Sequence, residues 1–175
     1  RPVDGAIAAL EDLKSGPPWF LYVHTMGPHD PYDPPAPYDT AFIREGYTGT
    51  EAEKKCAHDL DLYDGEIAYT DAQFGRLIDA MKETGFLENT IIVLLSDHGE
   101  EFCDHGGTGH GKTLYEEVLR IPLLLRLPGG AAGGKRDALI QMIDLAPTLC
   151  DLAALSMPEG VAGKSFRNLI TGAPF

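Results

Sequence analysis

An aspartate and a histidine, Asp97 and His98, follow closely on the apolar run Ile91–Leu95. A hard carboxylate oxygen beside an imidazole, on backbone held by a buried strand, is a donor pair suited to a divalent metal. The stretch continues as Gly99-Glu100-Glu101, and the loop beyond adds Asp104, His105, His110 and Lys112. A second run of aromatic and β-branched residues, Trp19–Thr25, carries His24 near its end and leads to His29 and Asp30. Five of the six histidines thus lie near two strand-like ends, and only His58 stands apart. In open parallel sheets ligands bind beyond the carboxyl ends of the strands. A bare Asp-His pair more often caps backbone amides, with its ring on the surface. Clustering with His29, His105 and His110 reverses that preference. His24 reads as a structural histidine, and Cys56, His58 and Cys150 read as packing residues on helices.

Two other patterns imitate sites. Asp59 to Glu66 resembles a calcium loop, but position 5 counted from Asp59 is Tyr63, and the glycine comes at position 7 instead of 6. It reads as a solvated helix face. Gly106 to Thr113 fits the phosphate-loop pattern G-x-x-x-x-G-K-[ST]. Such a loop follows its strand directly, whereas Asp97 to His105 intervene here and bring Asp97, Glu100 and Glu101 with them. Those carboxylates repel phosphate unless a metal stands between.

The elements that must position these groups follow from periodicity. Trp19–Thr25 reads as a strand, and the next nine residues, Gly27 to Pro35, contain four prolines, which forbid helix. Thr50 with Glu53 is a capping-box pattern, and Gly85 is a stop signal. Between them Leu60, Tyr63, Ile67, Thr70, Phe74, Leu77 and Met81 mark one buried face of a long helix. Gly65 and Gly75 are places where it could kink or split. Ile91–Leu95 reads as a strand buried on both faces. Strand, helix, strand in that order predicts a right-handed βαβ unit with parallel strands. Ile121–Leu127 is a further strand with Pro122 at its start, and Ile143–Ala153 and Phe166–Ile170 read as short amphipathic helices. The expected class is α/β, a layered sandwich with a mostly parallel central sheet flanked by helices.

Composition sets the outer limits. The chain has 175 residues, 43% of them hydrophobic, enough for a real core. With 14 basic and 27 acidic residues its formal charge is −13. Unaided binding to nucleic acid or to an anionic membrane needs clustered Lys and Arg, so both partners are excluded. No apolar run approaches the ~18 residues of a membrane span. Three cysteines are too few for a disulfide framework or a zinc ribbon. The first residues, Arg1-Pro2-Val3-Asp4, carry no targeting pattern, and the chain reads as an internal piece.

Several segments together resemble the sulfatase family of the alkaline phosphatase superfamily. Phe20 to Tyr32, with Pro28-His29-Asp30-Pro31-Tyr32, is similar to its strand and PHxPY loop, and Asp64 to Leu77 to the helix that follows. Thr90 to Glu101 resembles the metal-site strand. His110 to Glu117 with Arg120-Ile121-Pro122 resembles the next segment, and Ile143 to Leu149 the one after. The resemblance implies a divalent cation, usually calcium with manganese or zinc as alternatives, held in part by Asp97 and His98. It implies that His29 contacts a sulfate ester near its leaving oxygen. The family places a sulfate-binding Lys four residues before the Tyr-Glu of this segment. Here Lys112 stands three before Tyr115 and His110 five before, so both are candidates, with His110 favoured. His105 is a substrate-contact candidate.

The family's nucleophile is a Cys or Ser in C/S-x-P-x-R, oxidised to formylglycine. Neither Cys56, Cys103 and Cys150 nor Ser15 and Ser156 stand in that pattern. The resemblance therefore implies that residues 1–175 form one domain, the carboxyl-terminal portion of a sulfatase catalytic domain. It would lack the amino-terminal part with the formylglycine and would be inactive alone. The implied activity is metal-dependent sulfuric ester hydrolysis, with the remainder of the catalytic domain and a sulfate ester as partners. The alternatives are a phosphonate or phosphate ester hydrolase of the same superfamily, and a non-catalytic binding module of the same fold.

Overall fold

The computed structural model describes residues 2–130 and 133–172, and the chain divides into two compact units, 1–131 and 132–175. The first opens with helix α1 (Pro2–Leu13), ahead of the first element expected from sequence. Val3, Ala6 and Leu10 recur at helical spacing and are buried. After it, Trp19–Thr25 forms no ladder, so neither the expected strand nor the parallel βαβ pairing is seen among the described residues. Its side chains nevertheless alternate as a strand's do. Trp19, Leu21 and Val23 pack on the core, while Phe20 and Tyr22 are exposed.

A short helix α2 (Tyr38–Ala41) precedes α3 (Glu51–Glu83), which is continuous over 33 residues. The capping box forms as read: Thr50 Oγ1 accepts from the Glu53 amide at 3.3 Å, and the Glu53 carboxylate accepts from the Thr50 amide at 2.7 Å. Gly65 does not split the helix. A Cβ there would lie 2.5 Å from the Tyr38 carbonyl oxygen, so glycine lets α2 approach α3. The buried face differs from the apolar one expected. Leu77 and Met81 join α1 and Leu87 in the core, but Ile67 is exposed, and Cys56, Asp61 and Gly65 are buried instead. The amino-terminal half of α3 packs on loops and α2, so its buried groups are chosen by hydrogen bonding and close approach.

Two corrections concern that half. Asp61 is no solvated face: it is buried and accepts from the Arg44 Nε at 2.7 Å, the Arg44 amide at 2.8 Å and the Tyr47 hydroxyl at 2.6 Å. Burial pushes its carboxyl up, but Arg44 and Tyr47 outweigh that and hold it below the usual range. Cys56 is no mere packing residue either, since it forms a disulfide with Cys103, 47 residues away. Closing a loop of that length contributes roughly 2–4 kcal/mol by restricting the unfolded chain.

Beyond a 3₁₀ turn at Leu87–Asn89, β1 (Ile92–Leu95) leads to the short strands β2 (Glu101–Phe102) and β3 (Thr108–Gly109) and the one-turn helix α4 (Glu116–Leu119). Strand β4 (Leu123–Arg126) then pairs antiparallel with β1, Ile92 opposite Arg126 and Leu95 opposite Leu123. β2 and β3 pair antiparallel as well, so no parallel ladder occurs among the described residues. The second unit contains a 3₁₀ turn (Met142–Asp144), α5 (Leu145–Leu152) and α6 (Arg167–Thr171), close to the two helices expected. Its centre is the fully buried Thr148, whose hydroxyl donates to the Asp144 carbonyl at 2.6 Å and accepts from the Phe166 amide at 3.0 Å. No described helix is long and apolar enough to cross a membrane.

Candidate active site

β1 ends at Leu95, and the chain bends at Asp97. That bend removes the difficulty that adjacent strand residues face opposite ways. Asp97 Oδ1 and His98 Nε2 lie 3.8 Å apart, close enough to share one ion. His98 Nδ1 sits 2.8 Å from the Gly99 carbonyl oxygen, which can only accept. The nitrogen that faces this carbonyl is therefore the N–H, which leaves Nε2 as the ring atom available to a metal, the usual arrangement of a metal-ligating histidine. The Asp97 carboxylate is largely exposed and accepts from the His98 amide at 3.1 Å. Gly99 seats this turn: its amide donates to the Val118 carbonyl at 2.8 Å, and a Cβ there would meet the Glu117 carbonyl oxygen at 2.0 Å.

The His110 ring stacks on that of His98 at 3.7 Å between centroids, and the His29 ring lies 6.1 Å from His110. Three of the histidines singled out from sequence thus share one locus. His110 Nδ1 lies 3.2 Å from Glu100, whose side chain is nearly buried, and His29 Nδ1 lies 2.6 Å from the Asp30 carbonyl oxygen. Both partners are acceptors, so each Nδ1 carries a proton and Nε2 of each ring is left for other partners.

Tyr32 supports the group. Its ring packs against both Tyr63 and Phe102 at 5.7 and 5.6 Å, and its hydroxyl donates to Glu100 at 3.2 Å. Burial, then the neighbouring Glu100 carboxylate, raises the Tyr32 phenol far above its usual range and keeps it a neutral donor. Tyr32 and Glu100 were legible as motif letters, but their bond, across 68 residues, was not. The Cys56–Cys103 disulfide ties α3 to the loop between β2 and β3, inside the same segment.

The other candidates sit differently. His105 stacks on Tyr115 at 3.7 Å, and its Nδ1 lies 2.7 Å from Glu117. Its amide and that of Gly107 donate to the buried Glu101 at 3.2 and 2.8 Å. Glu101, His105 and Glu117 bring donor atoms within 4.8 Å of one another, but hydrogen bonds already engage these groups. Lys112 is exposed and donates to the Thr108 carbonyl at 3.2 Å. His110 stacks within the histidine group; Lys112 has no described contact with those rings.

The surroundings are acidic. Asp97 beside His98, Glu100 beside His110, Glu66 on the His29 amide and Asp30 near Tyr32 all belong to this locus, so an anionic substrate needs a cation to offset them. The donor set fits such an ion: a largely exposed carboxylate oxygen beside an imidazole whose Nδ1 is engaged by a carbonyl.

The family model described as Sulfatase matches residues 3–155. An arylsulfatase of Clostridium perfringens is 31% identical, over 96% of this chain and 40% of its own length. An endo-4-O-sulfatase of Bacteroides thetaiotaomicron is 29% identical, over 91% of this chain and 34% of its own. Among solved structures, a phosphonate monoester hydrolase from Silicibacter pomeroyi superposes with a TM-score of 0.86 at 26% identity, over 99% of this chain and 41% of its own. The chain thus spans 40% or less of the length of these two curated relatives.

Proposed function

Because this chain belongs to the sulfatase family, matched from residue 3 to 155, we propose that it supplies part of the active site of a metal-dependent sulfuric ester hydrolase. The observation that carries the reading is the shared locus of His29, His98 and His110 beside Asp97. In the full-length protein Asp97 and His98 hold a divalent cation, calcium by family habit, with further ligands from outside this chain. When bound, the cation offsets the ester's negative charge and polarises it. His29 places Nε2 near the leaving oxygen and, in the form protonated at both ring nitrogens, passes its Nε2 proton to that oxygen as the bond to sulfur breaks. His110, with Nδ1 engaged by Glu100, binds the sulfate oxygens through an Nε2–H in the form protonated at both ring nitrogens, with Lys112 as the second candidate for that role and His105 as an outer substrate contact. The formylglycine nucleophile belongs to an amino-terminal part, and both compact units belong to one catalytic domain. The family match crosses their boundary, which supports that domain reading. We place Trp19–Thr25 and β1 in a mostly parallel sheet, a reading supported by the alternating burial of the first segment.

The phosphonate monoester reading stays as second choice, favoured by the structural likeness at TM-score 0.86. The test is turnover of 4-nitrophenyl sulfate. The full-length protein hydrolyses it, loses the activity to a chelator and regains it with calcium, manganese or zinc, while the isolated chain shows none. A full-length protein inert with every metal would overturn the reading. Binding of the ester without turnover would point instead to a binding module, and turnover by the isolated chain would show the nucleophile to be misplaced.

A further inference from the structure

The loop that carries His29 has little means of holding itself. Gly27 to Pro35 includes Pro28, Pro31, Pro34 and Pro35, none of which has a backbone N–H to give. Two of the N–H groups that remain, those of His29 and Asp33, are taken up by one side chain from α3. Glu66 Oε2 accepts from the His29 amide at 3.0 Å, and Oε1 accepts from the Asp33 amide at 3.0 Å. One turn further along the same face, the Thr70 hydroxyl donates to the Gly27 carbonyl at 3.4 Å. The two ends of the carboxylate therefore grip both sides of Asp30-Pro31-Tyr32. On that segment sit the carbonyl that fixes the His29 ring and the tyrosine that fixes Glu100.

We propose that Glu66 is a positioning residue: its carboxylate clamps the His29 loop and so sets the placement of the His29 imidazole against the ester. This rests on the sulfatase reading above. A glutamate in the middle of a helix, partly buried and aimed at backbone amides, has no role on the solvated face that its sequence context suggests. Its two oxygens are both needed. Glutamine offers one acceptor and turns an N–H₂ toward the other amide, so Glu66→Gln releases one end of the loop, and Glu66→Ala releases both. Losses of this kind, one step removed from the reacting atoms, typically amount to about 10–100-fold.

The experiment is a double-mutant cycle in the full-length protein, with Glu66→Ala, Glu66→Gln, His29→Ala and the double variants. The substrates are phenyl sulfate, a poor leaving group, and 4-nitrophenyl sulfate, a good one. We expect Glu66→Ala to lower kcat for phenyl sulfate about 10–100-fold with KM little changed. Glu66→Gln loses less, and both lose less on 4-nitrophenyl sulfate. In the His29→Ala background the Glu66 effect should vanish, because the group it positions has gone. Equal losses on both substrates, or losses that multiply with His29→Ala, overturn the clamp as a positioning device and leave the sulfatase reading standing. A wild type inert on both sulfates overturns that reading and the clamp with it. Should Glu66→Ala fail to fold, Glu66→Gln carries the same cycle.

Discussion

Asp97→Ala in the full-length protein should remove the bound divalent metal and lower kcat/KM for an aryl sulfate at least about 10³-fold, roughly 4 kcal/mol of transition-state stabilisation. The fold should survive. Asp97 is 72% exposed and its carboxylate bonds to the amide of the next residue, so its loss costs little stability. Metal content by elemental analysis and thermal melting together separate loss of a ligand from loss of structure. His98→Ala should weaken metal and turnover less completely, because Asp97 remains, but it also removes the ring on which His110 stacks. An Asp97→Ala protein that keeps both its metal and its rate would show that the cation, if any, is held elsewhere.

The second large effect belongs to His29. His29→Ala should lower kcat for phenyl sulfate about 10²–10⁴-fold, the usual worth of a positioned proton donor. For 4-nitrophenyl sulfate the loss should shrink to about tenfold, because that leaving group departs as a stable anion and needs little help. The carbonyl of Asp30 accepts from His29 Nδ1, so in the proposed mechanism the donor is Nε2 of a ring protonated at both nitrogens. Steady-state rates on the two substrates check this directly. Equal losses on both would make His29 a binding group instead of a proton donor.

The sequence carried much of this site because its letters are local. Asp97-His98 after an apolar run, and His29 within a proline-rich loop, are visible without any tertiary knowledge. The long helix was legible for the same reason, through its capping box and its glycine stop. What escaped were bonds between distant segments. Glu66 looks like any helix-surface carboxylate until the His29 loop lies over it, and Asp61 until Arg44 and Tyr47 reach it. Cys56 and Cys103 are separated by 47 residues, and nothing in their spacing announces the disulfide. The parallel sheet is not seen among the described residues for a related reason. A strand is defined by its partner; Trp19–Thr25 has the alternation of one but no ladder among the described residues, and β1 pairs antiparallel with β4. Gly65 was misjudged because helix propensity counts its cost and cannot see the Tyr38 carbonyl that requires it.

The most direct test sets the two superfamily chemistries side by side. The metal-loaded full-length protein is assayed for kcat/KM on 4-nitrophenyl sulfate and on 4-nitrophenyl phenylphosphonate, which share a leaving group and differ at the central atom. The sulfatase assignment predicts a clear preference for the sulfate, lost in parallel for both esters when the metal is removed. A preference for the phosphonate of about tenfold or more, some 1.4 kcal/mol in the transition state, would contradict it.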